Sequence, residues 1–192
     1  TLTCPQTMSI ALKTRRALAR ELAMTLRSML PKARQSILVV GLGNRNVTPD
    51  SLGPRTAERI LVTRHMAGCL PEDMAQSMAS VSAAAPGVLG VTGMETVEIL
   101  KGMVTHVQPD AVIAIDALAA RSSSRIASTI QIADTGITPG SGVGNHRKAL
   151  NEQTLGVPVI AVGVPLVVYA STIASDALYA LGGGEMEEER IA

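Results

Sequence analysis

Short apolar runs separated by helical stretches indicate the fold of this chain. The first strong run, at residues 37–40, leads into a glycine-containing loop that ends at Asp50. An apolar run bounded by turn signals is typical of a central parallel strand covered on both faces. Residues 111–116 and 157–162 repeat this pattern, whereas residues 129–134 alternate like a half-buried strand. Strands spaced in this way predict an α/β fold: a three-layer sandwich with a mainly parallel central sheet.

Helices are predicted between these strands. Leucines recur at steps of three and four within residues 8–30, which is the spacing of an amphipathic helix, and Pro31 ends it. Further helices are predicted at residues 54–64, 95–105, 117–125 and 167–181. The glycine-rich stretch 135–145 fits no regular element, and a long loop in a small domain is usually functional.

Chain length bounds the domain organisation. With 192 residues, of which 46% are hydrophobic, the chain is expected to form a single domain with a sizeable core. We expect an N-terminal helical segment at 1–35, an α/β core at 36–181 and an acidic tail at 182–192.

Composition excludes several classes of function. The net charge of +1 and the absence of Phe and Trp argue against nucleic acid as a partner. No apolar run reaches the roughly 18 residues of a membrane helix, and no signal peptide is recognisable. Cys4 and Cys69 have no metal-type spacing and suggest a reducing compartment. We therefore expect a soluble cytoplasmic protein without membrane partners.

Two aspartates carry the most specific chemical signal. Asp50 follows the strand predicted at 37–40, and Asp116 ends the strand predicted at 111–116. In open α/β sheets ligands bind beyond the carboxyl ends of the strands, so neighbouring strands would bring both carboxylates to one crevice. Two close carboxylates separate each other's pKa values, which lets one act as an acid and the other as a base. Spacing alone leaves an alternative equally open, in which each aspartate caps the helix that follows its strand.

Other motifs give weaker signals. Residues 41–46 resemble a dinucleotide-binding loop, but Asn46 stands where the third glycine is required. Ser141 with nearby His146 fits a nucleophile and its base, or simply a small residue in a tight loop. His65 and His146 together with the aspartates could bind a divalent metal, although their spacing matches no known signature.

Longer strings resemble one family specifically. They run from Gly41 to Pro54, from Ala85 to Thr96, from Ala114 to Ser122 and from Gln131 to Asn145. Together they closely resemble the germination protease (spore protease) family of endospore-forming bacteria, in order and without large gaps from about Ser36 to about Ala177. The resemblance also implies a fold similar to that of hydrogenase-maturation proteases.

The resemblance implies an activity and a site. It implies an endopeptidase of atypical aspartic type that degrades small acid-soluble spore proteins during germination, within the forespore or spore core. It further implies a self-processed zymogen, a homotetramer and no required cofactor. The two proposed catalytic aspartates of the family match Asp50 and Asp116, the same residues that the strand-end argument selects.

Two alternatives to this function stay open. The fold likeness keeps a metal-dependent endopeptidase of the hydrogenase-maturation type in view, and a catalytically silent homologue would act as a binding protein. Relative to the family, the chain has little sequence before the first predicted helix and little after the last one. Whether it is a mature, truncated or shortened form is therefore open, and so is the tetramer.

Residues around the aspartates are candidates for substrate binding. Because the family's substrates are cut next to acidic residues, Arg45, Arg121 and Arg147 are expected to bind those carboxylates, with surface solvation as the alternative for each. Ser141 and Gly142 lie in a glycine loop whose backbone amides could stabilise an oxyanion, or which merely turns the chain.

Overall fold

A mixed β-sheet forms the middle layer of the computed structural model, which describes residues 1–3, 12–31, 36–66, 68–69, 71, 74, 78–140 and 148–181. Within these residues the sheet has six strands in the order β1-β5-β6-β4-β2-β3. The strands are β1 Leu2–Thr3, β2 Ser36–Gly41, β3 Ser80–Ala84, β4 Ala111–Ala120, β5 Thr129–Ala133 and β6 Val159–Val168. β3, β2, β4 and β6 are parallel to one another. β5 pairs antiparallel with β6, and β1 pairs antiparallel with β5. The mainly parallel α/β sheet predicted from the sequence is confirmed.

Helices connect the strands. They are α1 Leu12–Met29, α2 Leu52–Ala57, α3 Leu89–Thr92, α4 Thr96–Val107, α5 Glu152–Leu155 and α6 Ala170–Ala180. Short 3-10 turns occur at Thr48–Asp50, Arg64–Met66 and Ser123–Arg125. α4 starts with a capping box, in which the Glu95 N–H donates to the Glu98 carboxylate. Among the described residues, no helix is both long and apolar enough to cross a membrane.

Alternate residues of the central strands supply two separate cores. On one face, Leu38, Val40 and Val112 pack with Leu100 of α4. On the other face, Ile37, Val39 and Ile113 pack with Leu26 of α1 and Leu30. Because successive side chains of a strand point to opposite faces, an uninterrupted apolar run can supply both cores. Helices thus cover both faces of the sheet, as a three-layer sandwich requires.

Several element boundaries differ from the predicted ones. Residues 117–120 belong to β4 rather than to a helix, because they pair with Val164–Val168 of β6, and this pairing overrides the helix propensity of alanine. α2 ends at Ala57 instead of residue 64, and β6 continues to Val168, so that α6 starts only at Ala170. The acidic tail at 182–192 lies outside the described residues, and the predicted domain limits stay a prediction.

A close approach between two glycines positions the loop after β2. A Cβ atom on Gly41 would overlap the carbonyl group of Gly53, and one on Gly53 would overlap the backbone of Leu42 and Ile115. The start of α2 therefore lies directly against the carboxyl end of β2 and the middle of β4. This contact fixes where residues 43–50 leave the sheet.

We expect Gly41→Ala to destabilise the protein by about 1–3 kcal/mol, because backbone atoms rather than a flexible side chain must move to admit the methyl group. Urea unfolding measures this change. The matched control is Gly102→Ala in α4, where a Cβ meets no atom within 4 Å and alanine improves helix propensity. Equal losses of stability in the two variants would contradict the close-approach explanation.

Candidate active site

Asp50 lies on the loop that joins β2 to α2, at the end of the Thr48–Asp50 turn. The Asn44 N–H donates to its Oδ2 at 2.6 Å. Gly43 has a φ of +108°, and a Cβ there would overlap the Asp50 carbonyl oxygen and crowd its side chain. A glycine is thus needed at position 43 both for its backbone conformation and for the space occupied by Asp50. The Asp50 carboxylate is thus half-buried, and one main-chain N–H of the loop holds it in place.

Asp116 lies inside β4 rather than beyond it. Its register partner on β6 is Gly163, and Ile115 pairs with Gly41, the last residue of β2. Only 5% of Asp116 is exposed to solvent, and the Ala117 N–H donates to its Oδ1 at 2.9 Å. The carboxylate is therefore buried at the level where β2 ends and the loop towards Asp50 begins.

Both aspartates line one cleft of about 400 Å³ across the carboxyl ends of the parallel strands. The other lining residues are mostly apolar or glycine: Leu42, Gly43, Val47, Pro49, Gly87, Val88, Ala117, Leu118, Ala119, Pro139, Gly140 and Val167, together with Thr96 and Thr138. This is the position at which ligands bind in open α/β sheets. The structure therefore brings the carboxylates of Asp50 and Asp116 together in a largely apolar cleft.

The environment of Asp116 changes its acidity. Burial, the largest effect, acts together with the negative charge of Asp50 to raise the pKa of Asp116 to about 7, although the hydrogen bond from the Ala117 N–H opposes both. Burial dominates because the charged form of a carboxyl group loses hydration that a single N–H donor does not replace. At neutral pH this site can thus hold a protonated carboxyl group beside a second carboxylate.

Two of the three arginines predicted to bind substrate carboxylates, Arg45 and Arg121, are described, and neither is on the cleft wall. Arg45 forms an ion pair with Glu58, and these two residues line a separate surface depression with Arg55 and Arg59. Arg121 is exposed just after β4. Neither arginine lines the cleft. Their roles in binding substrate stay predictions.

Three further candidates, Ser141, Gly142 and Arg147, lie outside the described residues, as does His146. The cleft wall reaches Thr138, Pro139 and Gly140, the last described residues before this segment. Whether the glycine loop supplies an oxyanion site therefore stays a prediction.

Metal binding requires more donors than the aspartate pair. Within the described ranges, no group of three or more His, Cys, Asp or Glu side chains is placed to hold a metal ion. His65 lines a groove beside β3 rather than the cleft. The described residues thus do not complete a metal site at Asp50 and Asp116, and no step of the reaction is assigned to a metal.

Sequence reasoning missed part of the cleft wall. Gly87 and Val88 follow β3, and Thr96 starts α4, yet all three line the cleft. The Pro-Gly turn at 86–87 was recognisable as a strand exit. Its place beside the aspartates depends on β3 being the neighbour of β2, and this strand order cannot be deduced from the hydrophobic pattern of a single sequence.

Comparisons with known proteins agree on one family. The sequence model of the germination protease family matches residues 5–190. A germination protease of Bacillus subtilis (strain 168) is 55% identical over 175 residues, covering 90% of this chain and 48% of that protein. One of Clostridium acetobutylicum is 53% identical over 160 residues, covering 83% and 49%. One of Halalkalibacterium halodurans is 60% identical over 141 residues, covering 73% and 38%. The chain spans about half the length of the curated relatives it matches.

One solved structure is also similar. The [NiFe] hydrogenase maturation protease HycI from Thermococcus kodakarensis KOD1 aligns with a TM-score of 0.48 and 20% sequence identity, covering 82% of this chain and 95% of that one. A likeness at this level has no bearing on the chemistry of the site.

The raised pKa of Asp116 predicts a pH-dependent stability. The folded state holds this proton up to about pH 7, whereas the unfolded state releases it near pH 4, so stability falls as pH rises between these values. Asp116→Asn removes this dependence. We expect the variant to gain stability relative to the wild type from pH 4 to pH 8, by at most about 4 kcal/mol.

Urea unfolding at pH 4, 6 and 8 measures the difference. Asp134→Asn is the matched control, because it makes the same substitution at an exposed aspartate outside the cleft. A difference for Asp116→Asn that stays flat from pH 4 to pH 8 would show that the carboxyl group of Asp116 is not perturbed.

Proposed function

Since this chain belongs to the germination protease family, we propose that it is an endopeptidase that degrades small acid-soluble spore proteins during germination. The observation that supports the chemistry is the presence of Asp50 and a buried, easily protonated Asp116 in one cleft. An acid and a base at the same scissile bond are what hydrolysis of an amide requires.

The two aspartates differ in environment, and we assign their roles from that difference. Asp116 is the acid, because burial favours its protonated form and lets it donate a hydrogen bond to the scissile carbonyl. Asp50 is the base, because it is half-buried on a loop and only its Oδ2 accepts the hydrogen bond from the Asn44 N–H. Its Oδ1 can then accept a proton from water.

Hydrolysis then follows with balanced proton transfers. Asp50 takes a proton from a water molecule, whose oxygen attacks the carbonyl carbon while Asp116 protonates the carbonyl oxygen. The tetrahedral intermediate collapses when Asp50 returns its proton to the departing amine, the C–N bond breaks and the hydroxyl proton goes back to Asp116. Both carboxyl groups regain their starting protonation states.

The apolar wall of the cleft supports this chemistry. Leu42, Leu118 and Val167 lower the local polarity around the pair, which strengthens the hydrogen bond from Asp116 to a developing oxyanion. A substrate that fills about 400 Å³ would also displace all water except the attacking molecule.

The proposal extends to the assembly and its location. We propose a homo-oligomer, a tetramer by likeness to the family, that acts on its substrates in the forespore or spore core. Family membership is the support for these parts, including activation from a zymogen.

We expect Asp50→Asn and Asp116→Asn each to lower kcat for cleavage of a purified small acid-soluble spore protein by about 10²–10⁴-fold, because each removes one proton-transfer group. Asp134→Asn, an exposed aspartate that does not line the cleft, should keep wild-type activity. Circular dichroism establishes that every variant is folded.

The same assay with EDTA separates the remaining alternatives. Cleavage that EDTA leaves unchanged agrees with the carboxyl pair, whereas loss restored by a divalent ion would favour a metal-dependent endopeptidase. Undiminished cleavage by both folded aspartate variants would contradict the site. Folded wild-type protein that cleaves no spore protein would favour a silent homologue that only binds.

A further inference from the structure

The hydrogen bonds between β2 and β4 show which main-chain N–H and C=O groups of β2 face β3. The Asp110 N–H donates to the Ser36 carbonyl at 2.7 Å, and the Leu42 N–H donates to the Ile115 carbonyl at 2.8 Å. Ser36 and Leu42 are both even-numbered, and main-chain groups of successive residues turn to opposite sides of a strand. Even-numbered residues of β2 therefore bond to β4, and odd-numbered residues bond to β3.

The register of β3 then shows which of its residues face outward. Val39 of β2 is the partner of Ala83, and in a parallel ladder Val39 bonds to the residues on either side of its partner, Ser82 and Ala84. The main-chain groups of Ser82 and Ala84 thus bond to β2 within the sheet. The N–H and C=O groups of Val81 and Ala83 point away from it.

Thr63 covers one of these two outward positions. Its N–H donates to the Val81 carbonyl at 2.9 Å, its Oγ1 accepts from the Val81 N–H at 2.9 Å, and the same hydroxyl donates to the Ala79 carbonyl. Thr63 thus replaces a neighbouring strand at a single residue. Two positions along, no described residue bonds to the outward N–H or C=O of Ala83.

A groove of about 630 Å³ runs along this edge. It is lined by Ser80–Ala83 together with Val62, Arg64 and His65, and at one end by Ser36 and Val107. Arg64 and His65 are exposed, and none of the described residues that line the groove is acidic. The groove offers main-chain groups to an extended chain and cations to any carboxylate that the chain carries.

We infer that the open edge of β3 at Ala83 binds an extended, carboxylate-bearing segment of the polypeptide substrate as an added strand, outside the catalytic cleft. The inference rests on the proposed function, because it concerns how that substrate reaches the aspartate pair. Strand addition of this kind draws affinity from main-chain hydrogen bonds.

The position of the edge relative to the cleft predicts where this segment lies in the substrate. Beyond β3 the chain passes directly to Gly87 and Val88, which line the cleft. An added strand lies three strand spacings from β4, which is about 14 Å. An extended chain covers that distance in about four residues. The docked segment therefore lies about four or more residues from the scissile bond.

Ala83→Pro tests the edge directly. Proline removes the outward N–H and leaves the β2–β3 ladder intact, since that ladder uses Ser82 and Ala84. With the spore protein as substrate, we expect KM to rise about tenfold, the upper end of what one main-chain hydrogen bond contributes, with kcat unchanged. A hexapeptide centred on the mapped cleavage site is too short to reach the edge, so its kcat/KM should not change.

Two controls isolate the effect of the N–H group. Ala83→Val changes the side chain but keeps the N–H, so any change in KM that it causes measures the part of the Ala83→Pro effect that is due to the side chain. If Ala83→Pro fails to fold, wild-type enzyme is assayed with 16-residue peptides N-methylated at single positions. A tenfold rise in KM at a position four or more residues from the cut bond is then the expected result.

Binding separates this inference from the proposed function. Fluorescence anisotropy of a labelled spore protein with Asp50→Asn reports docking without cleavage, and adding Ala83→Pro should weaken binding about tenfold even if the wild type proves inactive. The inference is overturned if Ala83→Pro binds as tightly as its parent. It is overturned equally if Ala83→Pro impairs hexapeptide and full-length substrate to the same extent.

Discussion

The contact of Gly53 with the end of β2 and the middle of β4 is the constraint on which the rest of the site depends. Gly53 packs against the backbone of Leu42 and Ile115, so closely that no side chain fits. The Leu42 N–H bonds to the Ile115 carbonyl at the same level. The chain must therefore turn away from the sheet between these points, and the turn carries Asp50 back over β4. Because Asp116 follows Ile115 directly, the packing of the start of α2 against β4 and the end of β2 brings the two carboxylates into one cleft.

Burial and hydrogen bonding then give the aspartates different properties. Asp116 belongs to a strand that is covered on both sides, so its charged form lacks hydration and it keeps its proton to about pH 7. Asp50 stays on a loop and accepts a hydrogen bond from the Asn44 N–H. The difference arises from position rather than residue type, and it is sufficient to separate an acid from a base.

The sequence contained enough to predict β2, β4, β5 and β6 and the candidate pair, because strands of this kind are apolar or alternating runs and an acid that closes an apolar run is easily recognised. It did not contain the pairing of residues 117–120 with β6, since alanine runs favour helices unless a partner strand is present. The ion pair of Arg45 with Glu58 was equally hidden, because it joins a loop to the residue after α2. The strand order that brings Gly87 to the cleft is a property of long-range packing, which local patterns do not encode.

The central claim is that Asp116 is a buried acid whose proton is retained next to the charge of Asp50. The most direct test is a carbon-13 NMR titration of aspartate-labelled protein, with the Asp116 signal assigned by substitution, in the wild type and in Asp50→Asn. We expect Asp116 to titrate near pH 7 in the wild type and at a lower pH, though still above its usual range, once Asp50 is neutral. An Asp116 that titrates near its ordinary value of 3.8 in the folded wild type would contradict the account.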